Sequence, residues 1–475
     1  MAISQDSDTA NDSKRPRLDL REEALNRTIW SLSLPAILSN LMFTAVFFCD
    51  TLIVGWLRDE NCLAATVLVG PMMWLINAPF HALGDAATSL VSRCWGERDF
   101  HGARRCGGQS MCLAFLLTSA FLVICWPPAY HIIRWLGGAD LVVAIGGHYL
   151  RVVLLSIVLG LPMIVATAVI RGTGDAITPM ILTTIMNVVN VGASILLAFG
   201  AGPIPAFGLI GVAWGTVIAR SLGGALSIAV LIFSPKATGL TLRDLVVFSR
   251  GPFARVWRLT YPAMLDRLLS SFAHLAFIRM VAVLGTTVLA AHNIALHVES
   301  LAFMPAAGIS VAVATIVGQA IGAHRAHIAD LTVTRTLWWS SLLMGVLGAL
   351  FVLFAPQFVV IFGATPEVLR LAGLALQVSA LELPFLALYM LLAGSLRGAG
   401  DTRSPLFASL AGIFLFRLGA TYLFAIVFGW GLAGVWLATA LDWAARTLCL
   451  WWVFRRGVWK LIHEREKEEE RARSD

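Results

Sequence analysis

The sequence predicts an all-α polytopic membrane protein whose twelve transmembrane helices form two parallel six-helix repeats. Three observations carry that prediction. Of the 475 residues, 58% are hydrophobic and 13% are charged, against roughly 25% charged residues in a soluble domain. The apolar residues fall in successive blocks of about 20 to 30, long enough to cross a hydrocarbon core of roughly 30 Å as helices. Four motifs also recur in one order in the two halves of the chain.

The opening segment MAISQDSDTANDSKRPRLDLREE is polar and of mixed charge. It lacks the basic, apolar and small-residue succession of a cleavable signal peptide, so the first apolar block is expected to remain as a helix. Spans are expected at 30–57, 62–92, 107–130, 141–170, 179–200, 211–234, 256–284, 288–316, 332–355, 366–396, 405–428 and 432–454. They divide the chain into a polar tail (1–23), an N-terminal six-helix lobe (24–234), a cytoplasmic linker (235–255), a C-terminal six-helix lobe (256–456) and a charged tail (457–475).

The basic residues gather at alternate loops. Inner segments hold Lys14, Arg15, Arg17, Arg21 and Arg27, then Arg93, Arg98, Arg104 and Arg105, then Lys236, Arg243, Arg250, Arg255 and Arg258, then Arg325, Arg335, Arg397, Arg403 and the basic tail. Outer loops hold Arg58, Arg134 and Arg370. That bias predicts a multi-pass protein of the cell (inner or plasma) membrane with both termini cytoplasmic. The net charge of +7 is therefore a topology signal facing a lipid bilayer, and nucleic acid is not an expected partner. Seven cysteines without a CxxC pair, most of them inside apolar blocks, suggest neither a metal site nor a disulfide framework.

The repeats are specific. VIRGTGDAITP at 169–179 matches SLRGAGDTRSP at 395–405, so Arg397 stands in the second half where Arg171 stands in the first. VSRCWGERDFHGAR at 91–104 matches VGQAIGAHRAHIAD at 317–330 in the same register, pairing Gly96 with Gly322. LPAIL at 34–38 recurs as YPAML at 261–265, and FGLIGVAW at 207–214 as WGLAGVWL at 430–437. Six spans per half is even, so both halves insert in the same direction. Gly172, Gly174 and Pro179, like Gly398, Gly400 and Pro405, suit a tight turn between helices, with Asp175 and Asp401 capping the helix that follows. Pro35 and Pro262 sit inside the first helix of each half, where a missing donor permits a bend; a proline in the first helical turns reads equally well.

A charge at mid-bilayer costs roughly 2.5–3.5 kcal/mol on insertion scales, so each one is a functional candidate unless it is paired or near an interface. The repeat acts as a filter, because residues found in both halves belong to the architecture. Asp50 corresponds to Phe277, Asp85 to Val311, Glu299 to Met73 and Glu382 to Ser156, so all four acids occur in one half alone. Counted along a helix from Pro35, Asp50 lies about 22 Å further on, which puts it in the outer half of the bilayer. A carboxylate there can gain and lose a proton near neutral pH.

Glu299, Glu382 and Asp85 are candidates for a substrate cavity; for the two glutamates, attraction of a cationic substrate and a structural hydrogen bond remain equal alternatives. Asp442 and Arg446 are spaced i,i+4 and can neutralise each other. Arg220 and Arg417 are deep enough to ion-pair with one of the acids, while Asp266, Arg267 and Arg279 lie nearer the ends of the seventh span. His81, His148, His274, His292 and His297 have no metal-ligand spacing and read as packing or interface residues. Sixteen tryptophans and 26 phenylalanines suit interface belts and lipid contact first, and a cavity for flat apolar compounds second.

On LPAILSNLMFTAVFFCDTLIVGWL, LVSRCWGERDFHGA, RGTGDAITP, LAAHNIALHVESLAFMPAAGISVAVATIVGQAIGA and RGAGDTRSP, the chain resembles the multidrug and toxic compound extrusion (MATE) family from about residue 24 to 456. The resemblance implies two six-helix lobes around a central cavity. It implies a secondary active antiporter, not an enzyme, that expels organic, often cationic, small molecules (drugs, toxins, metabolites) against a proton or sodium gradient. No cofactor is implied beyond H+ or Na+ as the coupling ion, and the protein is expected to be monomeric.

By the same resemblance, Asp50 falls on the cation-coupling carboxylate of the first helix and Pro35 on the proline of its bending helix. Asn190 and Thr216 fall on polar positions networked with that aspartate. Ser194 stands where many members carry a further aspartate. Ser270 stands where NorM-type members carry a seventh-helix glutamate, and their tenth-helix aspartate is absent near Phe385, so the NorM-type cation site is not expected. A lipid-linked saccharide flippase of the same superfamily is the alternative; it would more naturally gather cationic residues to meet pyrophosphate. A polytopic membrane enzyme is a third reading, without the nucleophile–base pair or metal cluster it requires.

Overall fold

The computed structural model describes residues 18–234 and 238–462. The tail 1–17 with Lys14, Arg15 and Arg17, the linker residue Lys236, and the charged tail 463–475 lie outside the described residues. Contacts divide the chain into one unit built from Leu38–Thr260 and a second built from Asp19–Ile37 with the chain from Tyr261 onward. The helix Leu25–Trp56 is thus shared: its start, up to Ile37, belongs to the second unit and the rest to the first.

The first unit contains α1 (Leu25–Trp56, from Leu38 on), α2 (Glu60–Gly96), α3 (Phe100–Cys125), the short α4 (Ala129–Trp135), α5 (Asp140–Leu155), α6 (Ile157–Gly172), α7 (Ile177–Phe199), α8 (Leu209–Phe233) and α9 (Leu242–Val246). The second contains α10 (Arg250–Val283, from Tyr261 on), α11 (Thr286–Gly322), α12 (Ala326–Val360), α13 (Pro366–Ser379), α14 (Leu383–Gly398), α15 (Arg403–Val427) and α16 (Gly431–Arg456). α15 carries two π-helical segments, Gly412–Leu418 and Tyr422–Val427.

Eight of these helices are long and apolar enough to cross a membrane, and two bent pairs, α5–α6 (47°) and α13–α14 (53°), add one span each. α10 and α16, of 34 and 26 residues, have the length but carry internal charges; they complete twelve. The fourth and tenth expected spans are therefore broken rather than continuous. Their breaks fall at Ser156 and Glu382, an equivalent pair in the repeat.

The repeat is visible in the local geometry. α2 and α11 begin and end at equivalent positions, Glu60 with Thr286 and Gly96 with Gly322, and Pro79 and Pro305 stand at the same place inside each. Arg98 and His324, again equivalent, both adopt left-handed backbone (φ 65° and 56°) in the turn that follows. In the RGxGD turns, Gly174 and Gly400 take φ of 96° and 98°, which side chains other than glycine rarely adopt. The following aspartates cap as the sequence predicts: Asp175 Oδ1 accepts from the amides of Ile177 and Thr178 (3.0 and 2.9 Å). Asp401 Oδ1 does the same for Arg403 and Ser404 (3.2 and 2.9 Å).

Within lipid, helices associate through close packing rather than hydrophobic exclusion, so small residues mark the seams. α8 sets Gly211, Gly215 and Gly223 along one side. A Cβ on Gly215 would stand 2.6 Å from the Ser194 amide nitrogen of α7, and one on Gly223 would stand 2.8 Å from the Met163 sulfur of α6. These contacts set α8 closely against α7 and α6 and fix the polar residues those helices carry.

Candidate functional site

In the first unit, Asp50 of α1 faces the Thr216 hydroxyl of α8 and lies in the field of Arg220, one turn further along the same helix. Asn190 of α7 donates from Nδ2 to Thr216 Oγ1 (3.3 Å), and that hydroxyl reaches the Val212 carbonyl at 3.2 Å. The hydroxyl has one proton to give. It can bond Val212 or Asp50, not both, so the network has two arrangements. Asp50 Oδ1 and Asn190 Oδ1 are both buried without a hydrogen-bond partner, an expensive state for polar atoms in a low-dielectric interior.

The cluster extends further than the resemblance implied. Arg220 rests its stem against Gly160 of α6, where a Cβ would come within 3.1 Å of it. Tyr149 of α5 also feels the charges of Asp50 and Arg220. Ser194 reaches the same Val212 carbonyl as Thr216, its hydroxyl 3.5 Å away, the limit of a hydrogen bond. The structure thus brings together Asp50, Thr216 and Asn190, and places Ser194 in the α7–α8 seam.

The second unit holds a cavity of about 230 Å³ whose lining includes Glu299, Glu382, His292, Arg417 and Trp436. Glu299 of α11 and Glu382, at the α13–α14 break, meet carboxyl to carboxyl. Two carboxyls can bond each other only through a proton. The Thr439 hydroxyl of α16 donates to the Trp436 carbonyl (2.7 Å) and faces Glu382, whose Oε2 stays unpartnered, as do both ring nitrogens of His292 and the Trp436 indole nitrogen. His292 is packed between Phe277 and Trp436, with ring centroids 5.6 and 5.5 Å away.

The remaining candidates are held by partners. Asp85 faces Arg171 of the first RGxGD turn. In the second unit the equivalent Arg397 takes its carboxylate from α10 instead, Asp266 at 3.3 Å. Asp442, fully buried, accepts hydrogen bonds from Arg446 at 2.5 and 2.6 Å and is ion-paired with Arg417 at 2.7 Å. The expected i,i+4 pair is therefore a three-member cluster, and it is where Arg417 finds its acid. The Ser270 hydroxyl lies 3.4 Å from Asp266 and 3.3 Å from Ser409. Pro35 lies within a continuous helix, in the segment that packs with the second unit.

Thr439 was missed in the sequence, although the signal was present. Aligning FGLIGVAW with WGLAGVWL brings Thr216 and Thr439 to the same position just beyond each motif, and each meets a carboxyl.

Comparison with known proteins agrees on the architecture. A protein named "Probable multidrug resistance protein NorM" from Thermotoga maritima is 28% identical over 451 residues, covering 94% of this chain and 96% of its own length. A solved structure described as MATE in the straight conformation superposes with a TM-score of 0.84 at 23% identity, over 92% of this chain and 97% of the other. The Vibrio cholerae MATE transporter VcmN superposes at 0.85 with 19% identity, over 92% of this chain and 97% of its own. At those identities the two structures establish the shared fold. The MatE family pattern matches twice, over residues 35–196 and 262–423, each match opening on the equivalent proline, Pro35 or Pro262. With most of its length matched in two copies, this multi-pass membrane protein belongs to the MatE family, whose members are transporters rather than enzymes.

Proposed function

We propose that the chain is a secondary active multidrug exporter of the cell membrane, with both termini cytoplasmic, that expels organic cationic or amphipathic small molecules in exchange for protons. The observation that carries this reading is Asp50, a membrane-embedded carboxylate with one buried, unpartnered oxygen beside a hydroxyl that has two possible acceptors. When Asp50 is ionised, Thr216 donates to it. When Asp50 takes up a proton, Thr216 returns to Val212 and α1 loses that tie to α8. One proton thereby biases a two-state helix contact, and a ligand that prefers one state is exchanged for it. The names of relatives, multidrug resistance proteins, support an organic small-molecule substrate.

Arg220 favours a proton over sodium. A Na+ ion held by the Asp50, Asn190 and Thr216 oxygens would sit in the field of a buried guanidinium, which opposes a second positive charge. A proton on Asp50 instead neutralises the carboxylate that Arg220 faces.

The second-unit cavity supports a cationic substrate. Glu299 and Glu382 present two carboxyl groups to the cavity, and Arg417, which also lines it and lies over the Phe277 ring, has its charge engaged by Asp442. Purified protein in vesicles with an imposed pH gradient exports a fluorescent cation under this reading, and Asp50→Asn protein that inserts and folds does not. Wild-type export by that variant against a gradient removes the coupling role, and export driven equally by a sodium gradient at fixed pH removes the choice of ion.

A further inference from the structure

Outside the membrane-spanning helices, the segment that follows the sixth span is clasped to α3. The five-residue helix α9 opens with a capping box in which the Thr241 side chain accepts from the Asp244 amide and the Thr241 amide donates to Asp244 Oδ2 (2.8 Å), an oxygen that the Thr241 hydroxyl also meets at 2.7 Å. Arg104 of α3 ties down both partners, with Nε to Asp244 Oδ2 at 2.7 Å and Nη2 to Thr241 Oγ1 at 3.0 Å. Gln109, further along α3, donates to the Val247 carbonyl (2.7 Å) and accepts from the Ser249 amide (3.0 Å). Gly108 lets the two backbones touch, since a Cβ there would stand 2.7 Å from the Asp244 carbonyl oxygen.

The clasp walls a cavity of about 530 Å³ lined by His101, Arg104, Arg105 and Arg243, with Asp244 as the one acid among its described lining residues. Asp244 is spoken for by Arg104 and its own cap. Two exposed guanidiniums, Arg105 and Arg243, are left facing the cavity with no second carboxylate in that lining. Beside them Val247 and Phe248 are 47% and 52% exposed. Cationic side chains at the end of a membrane helix, next to exposed apolar ones, match the two parts of a lipid at the interface: phosphate against guanidinium, acyl chain against Phe248.

We propose that this cavity binds the phosphate of an anionic phospholipid headgroup and that the bound lipid bridges α3 to the segment joining the two halves. Arg105 and Arg243 take the phosphate, His101 stands at its edge, and Val247 with Phe248 face the chains. Free phosphate shares the headgroup chemistry but has nothing to place against Val247 and Phe248.

The test uses full-length protein in detergent, titrated with dioctanoyl phosphatidylglycerol, dioctanoyl phosphatidylcholine or inorganic phosphate and read by native mass spectrometry. The expected result is retention of phosphatidylglycerol at least roughly tenfold tighter than phosphatidylcholine. Arg105→Gln/Arg243→Gln should abolish that preference without changing the thermal midpoint of the lipid-free protein. Each single variant should lose part of it, which covers the case of a double variant that fails to fold. Equal retention of the two lipids, or an unchanged preference in the variants, overturns the site. Displacement of phosphatidylglycerol by an equal concentration of inorganic phosphate overturns the lipid assignment in favour of the free anion.

Discussion

In the first unit the carboxylate that meets the repeated threonine comes from α1, as Asp50 against Thr216; in the second it comes from the break between α13 and α14, as Glu382 against Thr439. The place equivalent to Asp50 is taken by Phe277, which is 2% exposed and packs on His292. The place equivalent to Glu382 is taken by Ser156, buried at the matching bend with its hydroxyl unpartnered. The threonine and the bends therefore belong to the frame, and the carboxylate is the part that each half sets for itself. A carboxylate on a continuous helix can couple proton uptake to movement of that helix. A carboxylate at a fixed break, sharing a proton with Glu299 in an aromatic cavity, is better placed to hold a cation.

The largest expected effect tests that division. Asp50→Asn should abolish gradient-driven export, whereas Glu382→Gln should leave proton-driven export of substrates in place and weaken the apparent affinity for cationic ones by roughly tenfold, the loss of one charge-assisted contact. Vesicle transport measured at several substrate concentrations separates the two outcomes. If Glu382→Gln abolishes coupling and Asp50→Asn shifts only affinity, the roles are reversed. Thr216→Val and Thr439→Val sharpen the point, because the same substitution at equivalent positions should slow coupling in the first case and alter cation affinity in the second.

A second contrast concerns stability. Asp442 and Arg446 form a buried cluster with Arg417 in the second unit, and the first unit has Ala219 at the position equivalent to Asp442, so it contains no such cluster there. Removing one partner of a buried ion pair costs about 3–5 kcal/mol. Asp442→Asn should accordingly lower the thermal midpoint in detergent and the yield of folded protein, with two guanidiniums left unneutralised. A midpoint within error of the wild type would show that the charges are solvated in place.

The frame was legible because its causes are local. Hydropathy blocks, loop charge and the RGxGD turns depend on short stretches of chain, and the capping by Asp175 and Asp401 follows from their spacing alone. The solitary acids Asp50, Glu299 and Glu382 were legible because the repeat removes the architectural residues. What escaped depends on rotation about helix axes and on contacts distant in sequence. That Ser194 and Thr216 share the Val212 carbonyl depends on how closely α7 approaches α8 at Gly215. The carboxylate partner of Arg171 comes from α2 and that of Arg397 from α10, though the two arginines sit in the same motif. The hydroxyl equivalence of Thr216 and Thr439 is present in the motif alignment, but threonine carries no charge to set it apart in an apolar span.

The seam itself gives a smaller contrast. Gly215 touches the Ser194 backbone, whereas the second unit has Ala438 at the equivalent place and accommodates it. Gly215→Ala should cost roughly 1–3 kcal/mol through overpacking, and, by pushing α8 from α7, it should weaken the contact between Asn190 and Thr216. Loss of stability with unchanged transport would separate the packing from the coupling network.

The smallest effect lies at the clasp; in the second unit Asp330, equivalent to Arg104, likewise ties its helix to the segment after the last span, through Lys460. Burial disfavours ionisation of Asp244, but the Thr241 amide and hydroxyl and the Arg104 guanidinium outweigh it and hold its carboxyl below the usual range. A group depressed in the folded state contributes fully at pH above its free value of about 3.9 and loses that contribution as pH falls through the folded one. The partly exposed pair contributes no more than about 1 kcal/mol after solvent screening. Protection of the 241–249 amides from hydrogen exchange should therefore be level from neutrality down to about pH 5 and fall below about pH 4. Arg104→Ala should lower that protection at neutral pH. Protection that is insensitive to both changes would mean that Gln109 and the Gly108 contact hold the segment without help from the charges.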